Sequence, residues 1–152
     1  MYSNSETVPI ADNLMKLVTP QLGEIVYMED TLINFTNGII GFENYRRFIL
    51  VDNSDFEPFR WLFTVEREGL GLPILNPLKI SSEFHQALPP RLMKRILTSG
   101  NMMEIFCVVN LNGESGRTTI NLKSPIIIDF QEKSGRQLIL ESDKLSVAHP
   151  IW

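Results

Sequence analysis

The chain has 152 residues, of which 43% are apolar and 21% charged, a size and composition typical of one soluble domain with one core. Its single cysteine, Cys107, excludes an internal disulfide, and no run approaches the roughly 18 apolar residues of a membrane span. The first residues lack the basic and apolar regions of a secretory signal, so we expect a cytoplasmic protein that does not enter membranes.

The negative charge of the chain is concentrated at its N-terminal end. Residues 1–30 carry five acidic side chains and one lysine, a net charge of −4, which equals the net charge of the whole chain. An acidic chain repels phosphate backbones, and the basic residues form scattered pairs rather than a stripe, so we expect no direct nucleic-acid binding. A basic protein partner fits this charge, and Glu24, Glu29 and Asp30 are the residues that would attract it.

The first twenty residues show no regular apolar period. They contain small polar residues and two prolines, Pro9 and Pro20, which restrict the backbone. We therefore expect a flexible N-terminal arm over residues 1–20. Short apolar alternations begin at Leu22 and no linker interrupts them, so residues 21–152 are predicted to form a single domain.

The segment INFTNGIIGFENYRRF, residues 33–48, carries two glycines around two isoleucines. Glycine adopts backbone conformations closed to other residues, so Gly38 and Gly41 predict a sharp bend with Ile39 and Ile40 at its apolar tip. The tip either contacts a partner or plugs one end of the fold, and the sequence leaves both open. The candidate partner-binding residues here are Phe35, Asn37, Gly38, Ile39, Ile40, Phe42 and Glu43. A short helical turn is expected over residues 43–47.

Short alternating runs dominate the remaining sequence. Residues 59–66 alternate apolar with polar side chains, which predicts a half-buried strand, whereas residues 105–111 are apolar on both faces and predict a strand covered on both sides. Further runs lie at 118–123, 126–131 and 138–140, separated by turn segments at 112–116, 124–125 and 132–135. This spacing predicts an all-β fold, mainly antiparallel, in a small closed or partly open β-barrel-like domain.

One helix is predicted within this β pattern. The segment PPRLMKRILTSG, residues 89–100, places prolines in the first turn, Leu92 and Ile96 on an apolar face, and Gly100 where the helix would end. With the possible helical turn at 43–47, the fold is expected to contain one or two short helices.

The residues that could support catalysis are few. His85 and His149 lie 64 positions apart without metal-ligand spacing, and Cys107 sits inside an apolar strand, where a thiol packs as a small apolar side chain. The carboxylates of residues 52–68 are interleaved with arginines, which indicates a charge-balanced surface. We therefore expect no enzyme activity, no cofactor and no metal. An enzyme would need a perturbed carboxylate or histidine in a cleft, and a small-molecule-binding barrel would need an interior cavity.

Four blocks of the sequence resemble the FliW family of flagellar assembly factors. They are FTNGIIGFE at 35–43 with the following Phe48, WLFTVE at 61–66, LNP at 75–77, and TTINLKSPIIID at 118–129 with the later QLIL at 137–140. Their order and spacing cover roughly residues 22–150, and the set is far more specific than any one block.

The resemblance implies a small antiparallel β-barrel without catalytic activity that works through protein partners. Members of the family bind the carbon storage regulator CsrA, a small RNA-binding dimer, and relieve its repression of flagellin translation. They also bind flagellin, which competes with the regulator. The function implied for this chain is partner switching between CsrA and flagellin; a small-molecule-binding barrel or another non-catalytic interaction module is the alternative.

Overall fold

The computed structural model describes residues 13–112 and 116–151. Within these residues it contains eleven strands and two α-helices, together with short 3-10 turns. The strands are β1 Leu14–Thr19, β2 Gly23–Met28, β3 Ile33–Asn34, β4 Arg47–Val51, β5 Arg60–Thr64, β6 Gly71–Leu75, β7 Met103–Asn110, β8 Thr119–Ile120, β9 Ile126–Asp129, β10 Ser134–Gln137 and β11 His149–Pro150. The helices are α1 Ser82–Ala87 and α2 Pro90–Leu97.

Seven of the described strands close into a barrel in the order β3-β4-β5-β6-β7-β9-β10, and β10 returns to β3. The β10–β3 pairing is parallel and consists of the pair Ser134 and Asn34, whereas the other barrel pairings are antiparallel. Strand β8 extends the sheet from β7 and is followed by β11, while β1 and β2 form a separate hairpin. The predicted fold class, a mainly antiparallel β-barrel with short helices, is confirmed.

The barrel interior is filled by large apolar side chains. Successive residues of a strand point to opposite faces of the sheet. On β4, β5, β7 and β9, the residues that point into the barrel form one cluster with the side chains of the segment that follows β3. Its fully buried members are Ile33, Phe35, Ile39, Phe48, Leu62, Ile74, Phe106, Ile126 and Ile128. Phe35 and Phe48 meet edge to face with ring centroids 5.2 Å apart.

Both helices pack on the outside of the barrel against the opposite face of β7. Leu92 and Ile96 of α2 and Phe84 of α1 share a cluster with Ile105 and Cys107. Helix α2 therefore has the apolar face predicted for it, and β7 is covered on both sides as predicted. Helix α1 was not predicted; it begins after Ser81, whose hydroxyl accepts the Phe84 N–H at 3.2 Å.

A second outer layer is the β1–β2 hairpin, which covers β4 and β5. Leu17 packs with Ile49, Trp61 and Phe63, and the Trp61 and Phe63 rings are stacked at 5.5 Å. The prediction that β5 is half-buried is therefore wrong, because Leu62 and Thr64 point into the barrel while Trp61 and Phe63 lie beneath the hairpin.

Part of the predicted N-terminal arm is ordered strand. Residues 1–12 lie outside the described residues, but β1 occupies Leu14–Thr19 and pairs with β2 along its whole length. The boundary predicted at residue 20 is too late, because β1 lies before it and the apolar residues of β1 and β2 pack against β4 and β5.

Three local predictions in the barrel are also wrong. Residues 43–47 form a turn and the start of β4, since the N–H groups of Arg46 and Arg47 bond the Glu66 carboxylate rather than a helix carbonyl. The turn predicted at 132–135 and the strand at 138–140 are placed too late. Lys133, at φ 53°, takes the left-handed position, and Gly135 lies in β10, where a Cβ would be 2.3 Å from the Phe35 ring.

Candidate partner-binding surface

The segment between β3 and β4, residues 35–46, folds into consecutive tight turns, and we call it the glycine turn. Gly38 and Gly41 have φ values of 72° and 87°, in the left-handed region that glycine enters without strain. Backbone hydrogen bonds close the turns: Gly38 N–H donates to the Phe35 carbonyl at 2.9 Å and Phe42 N–H to the Ile39 carbonyl at 2.7 Å. The bend predicted from the two glycines is confirmed.

Side-chain hydrogen bonds stabilise the glycine turn. The Ile40 N–H donates to the Gln137 amide oxygen of β10 at 2.8 Å, and the Glu43 carboxylate accepts the Gly41 N–H at 3.1 Å. This backbone hydrogen bond lowers the pKa of Glu43. The Arg46 guanidinium bonds the Glu43 carbonyl. One of these bonds therefore ties the turn to β10, and the other two close the turn on itself.

The two isoleucines at the tip have opposite environments. Ile39 is 1% exposed and belongs to the barrel core, whereas Ile40 is 57% exposed. Phe35 and Gly38 are buried with Ile39, and Phe42 is half-buried. The exposed candidates are Asn37, Ile40 and Glu43. The tip thus plugs the barrel with one side chain and presents the next to solvent.

A cleft of mixed polar and apolar lining borders the base of the glycine turn. It has a volume of about 320 Å³ and brings Thr36 and Asn37 together with Arg95 of α2 and Arg136 of β10. Both arginines are exposed. Sequence reasoning missed them because Arg95 and Arg136 lie far from the turn along the chain, and only barrel closure places them beside it.

The acidic candidates occupy a different part of the fold. Glu24 lies on β2, and Glu29 and Asp30 form the 3-10 turn that follows it. All three are exposed, and Glu24 pairs with Lys16 of β1 at 3.9 Å. The structure thus places these residues in or directly after the β1–β2 hairpin, not within the glycine turn.

Three of the carboxylates near β5 have structural partners. Asp52 bonds the Arg60 guanidinium at 2.6 Å, Glu66 accepts the Arg46 and Arg47 N–H groups, and Glu68 accepts the Val18 N–H at 3.2 Å. Burial raises the pKa of the Cys107 thiol. Among the described residues no group of three or more His, Cys, Asp or Glu side chains is placed to hold a metal ion.

No helix within residues 13–112 and 116–151 is long and apolar enough to cross a membrane.

Comparison with known proteins shows the family to which the chain is similar. A sequence profile described as FliW protein matches residues 16–151. The flagellar assembly factor FliW of Clostridium beijerinckii is 31% identical over 138 residues, which are 90% of this chain and 98% of that protein. The proteins of the same name from Clostridium botulinum strain Okra and from Thermotoga maritima are each 34% identical and match 91% and 85% of this chain and 97% and 88% of their own lengths.

A solved structure agrees with this assignment at the level of the fold. The crystal structure of a flagellar assembly factor FliW superposes with a TM-score of 0.72 at 24% identity and covers 91% of this chain and 97% of that chain. Since the profile spans most of the chain and relatives above 30% identity are matched over nearly their whole length, the chain belongs to the FliW family.

Proposed function

We propose that the protein is a cytoplasmic flagellar assembly factor that works by binding other proteins and catalyses no reaction. Its relatives carry the name flagellar assembly factor. The proposed partners are the translational regulator CsrA and flagellin, with no direct contact to nucleic acid or membrane. Binding of CsrA relieves repression of flagellin translation, and flagellin competes for the factor, so free flagellin sets its own synthesis.

One observation carries this proposal: the glycine turn presents Ile40 from a backbone that is already fixed. The Ile40 N–H is bonded to Gln137, and the flanking turns are closed by their own hydrogen bonds. A side chain on such a backbone loses little conformational freedom when a partner binds. Less of the favourable free energy of its apolar contact is therefore cancelled by lost entropy, and the affinity is higher. The exposed Asn37 and Glu43 beside it supply polar contacts at the rim.

Control of an RNA-binding partner does not require contact with RNA. A protein that occupies one site on the regulator changes the affinity of another site by a coupling of roughly 1–3 kcal/mol, and that coupling is reciprocal. An acidic chain with net charge −4 is suited to this role, because it is attracted to the regulator and repelled by the RNA.

The alternative function, small-molecule binding inside the barrel, is weakened by the packing. Large side chains such as Phe35, Phe48 and Phe106 fill the interior positions, each at most 1% exposed. A barrel of this size holds a ligand only where its interior is left open. The packing therefore favours a function at the outer surface.

Titration of the purified protein with CsrA and with flagellin, separately and then in competition, tests the proposal. We expect a stable complex with each partner by calorimetry, and displacement of CsrA when flagellin is added. Failure to form either complex would overturn the proposed function.

The role of the glycine turn is tested by Ile40→Asp. Because Ile40 is 57% exposed, we expect the variant to keep its melting temperature while its affinity for at least one partner falls about tenfold or more. Ile139→Asp is the matched control, since Ile139 is 68% exposed and lies just beyond β10. Equal affinities for the two variants and the wild type would contradict a binding role for the tip.

A further inference from the structure

The outward side of the β1–β2 hairpin presents a second candidate surface. Directly opposed residues of antiparallel strands share a face, and Leu14, Lys16 and Val18 oppose Met28, Val26 and Glu24. These six residues form what we call the outer hairpin face. The other parity, which includes Leu17 and Ile25, packs on the core beneath.

Four of the six side chains on the outer hairpin face are apolar and exposed. Leu14, Val18, Val26 and Met28 are 39%, 52%, 52% and 41% exposed. A hairpin that covers a core on one side normally carries polar residues on the other. Adjacent exposed apolar side chains framed by charges are typical of a protein contact surface.

The charges at the border of this face are predominantly acidic. Lys16 lies in the middle of the face, opposite Val26, and its ammonium group is 3.9 Å from the Glu24 carboxylate. At the border, the two residues after Met28 are the exposed Glu29 and Asp30. Glu68 lies at the edge of β1, where it accepts the Val18 N–H. No lysine or arginine occurs in the sequence between Lys16 and Arg46, so acidic side chains predominate in and after the hairpin, although Lys133 lines the same small cavity as Asp30.

The acidic border favours some classes of binding partner over others. A second copy of this chain would bring two acidic borders together, and like charges facing each other disfavour association. Nucleic acid and anionic lipid headgroups are repelled for the same reason. A protein whose apolar patch is surrounded by lysine and arginine is complementary to the outer hairpin face, because it matches both the exposed apolar side chains and the acidic border.

We propose that the outer hairpin face is the docking site for a basic protein partner. This inference rests on the proposed function, and of the two partners named there it assigns the face to CsrA, because a protein that binds RNA must carry positive charge. The exposed apolar side chains supply affinity, and the acidic border supplies attraction and orientation.

Val26→Ser tests the apolar side chains of the outer hairpin face, with Val147→Ser as the matched control. Val26 and Val147 are 52% and 63% exposed, so both variants should melt like the wild type. We expect Val26→Ser to weaken CsrA binding about tenfold in calorimetry, and Val147→Ser to bind like the wild type. A second variant, Glu29→Lys, should slow association with CsrA at low salt, whereas Glu132→Lys, at the exposed β9–β10 turn, should slow it less.

The outcomes separate this inference from the proposed function. If the wild type binds neither CsrA nor flagellin, the proposed function fails and this assignment fails with it. If the wild type binds CsrA and Val26→Ser binds equally well, only the assignment of the face is overturned. Sedimentation that shows a wild-type dimer lost in Val26→Ser would identify the occupant as a second copy and would also overturn it.

Discussion

Ile39 and Ile40 are neighbours in the sequence with nearly opposite exposures, 1% and 57%. The glycines on either side predict the bend from the sequence, because the left-handed conformation is open to glycine. Which isoleucine turns inward depends on the barrel end beneath and on the Ile40 bond to Gln137. Neither is visible in the local sequence, so the candidate site could be located in the chain but not divided into a buried and an exposed part.

Glu66 makes the stability of the glycine turn depend on pH. Its carboxylate accepts the Arg46 and Arg47 N–H groups at 2.5 and 2.9 Å, and these bonds lower the pKa of Glu66 below its ordinary value. A depressed folded-state pKa contributes stability above the unfolded-state pKa, and this stability is lost as pH falls through the folded-state value. The wild type should therefore lose stability on acidification partly through Glu66.

The comparison of the wild type with Glu66→Gln checks this expectation. Urea unfolding across the range from neutral pH to about pH 3 should show a shallower loss of stability in the variant, while its stability at neutral pH is lower. Glu132→Gln removes an exposed carboxylate elsewhere and should follow the wild-type curve. Identical curves for all three proteins would show that the Glu66 bonds do not contribute.

At the scale of elements, the two helices show what the sequence could predict. Helix α2 was found from its prolines and the spacing of Leu92 and Ile96, both of which are buried. Helix α1 has only six residues, too few for a clear period, although Ser81 before Ser82 and Glu83 is the kind of start that marks a helix N-terminus. The hairpin was missed because β1 follows a segment without regular pattern. The burial of its inner face is also not visible in the sequence, because that face is covered only by packing on β4 and β5.

The hairpin is predicted to contribute to stability through its inner face only. Leu17 is 3% exposed against Trp61 and Phe63, whereas its neighbour Val18 is 52% exposed. Leu17→Ala should lower the free energy of unfolding by about 2–4 kcal/mol, because it leaves a cavity beside the aromatic rings. Val18→Ala should lower it by less than about 1 kcal/mol. Chemical denaturation followed by tryptophan fluorescence measures both, and equal losses would contradict the covering role of the hairpin.

At the scale of the whole molecule, the strand spacing and turns predicted a barrel but not how it closes. Closure runs through the parallel pair Ser134 and Asn34 and the bond from Asn34 N–H to the Lys133 carbonyl at 2.9 Å. These segments are about one hundred residues apart in the sequence, and two paired residues carry no periodic pattern. The fold class could therefore be predicted from the sequence, whereas the closure that brings Arg95 and Arg136 to the glycine turn could not.

The uneven charge of the molecule predicts a salt-dependent association with a basic partner. The net charge of −4 lies within residues 1–30, and Glu24, Glu29 and Asp30 are exposed. Stopped-flow association with CsrA should slow markedly between low and physiological salt, because the screening length falls from about 30 Å at 0.01 M to about 8 Å at 0.15 M. An association rate that does not change with salt would rule out electrostatic attraction by these residues.

The enclosure of Cys107 has a practical consequence for studying the protein in solution. The side chain is 0% exposed within the cluster under the helices, and burial raises the pKa of its thiol, so alkylating dyes should leave it untouched while the chain is folded. A cysteine introduced at an exposed position would then take up a fluorophore selectively, without removal of the native one. The same enclosure makes uptake of a dye by the unaltered chain a direct report of unfolding.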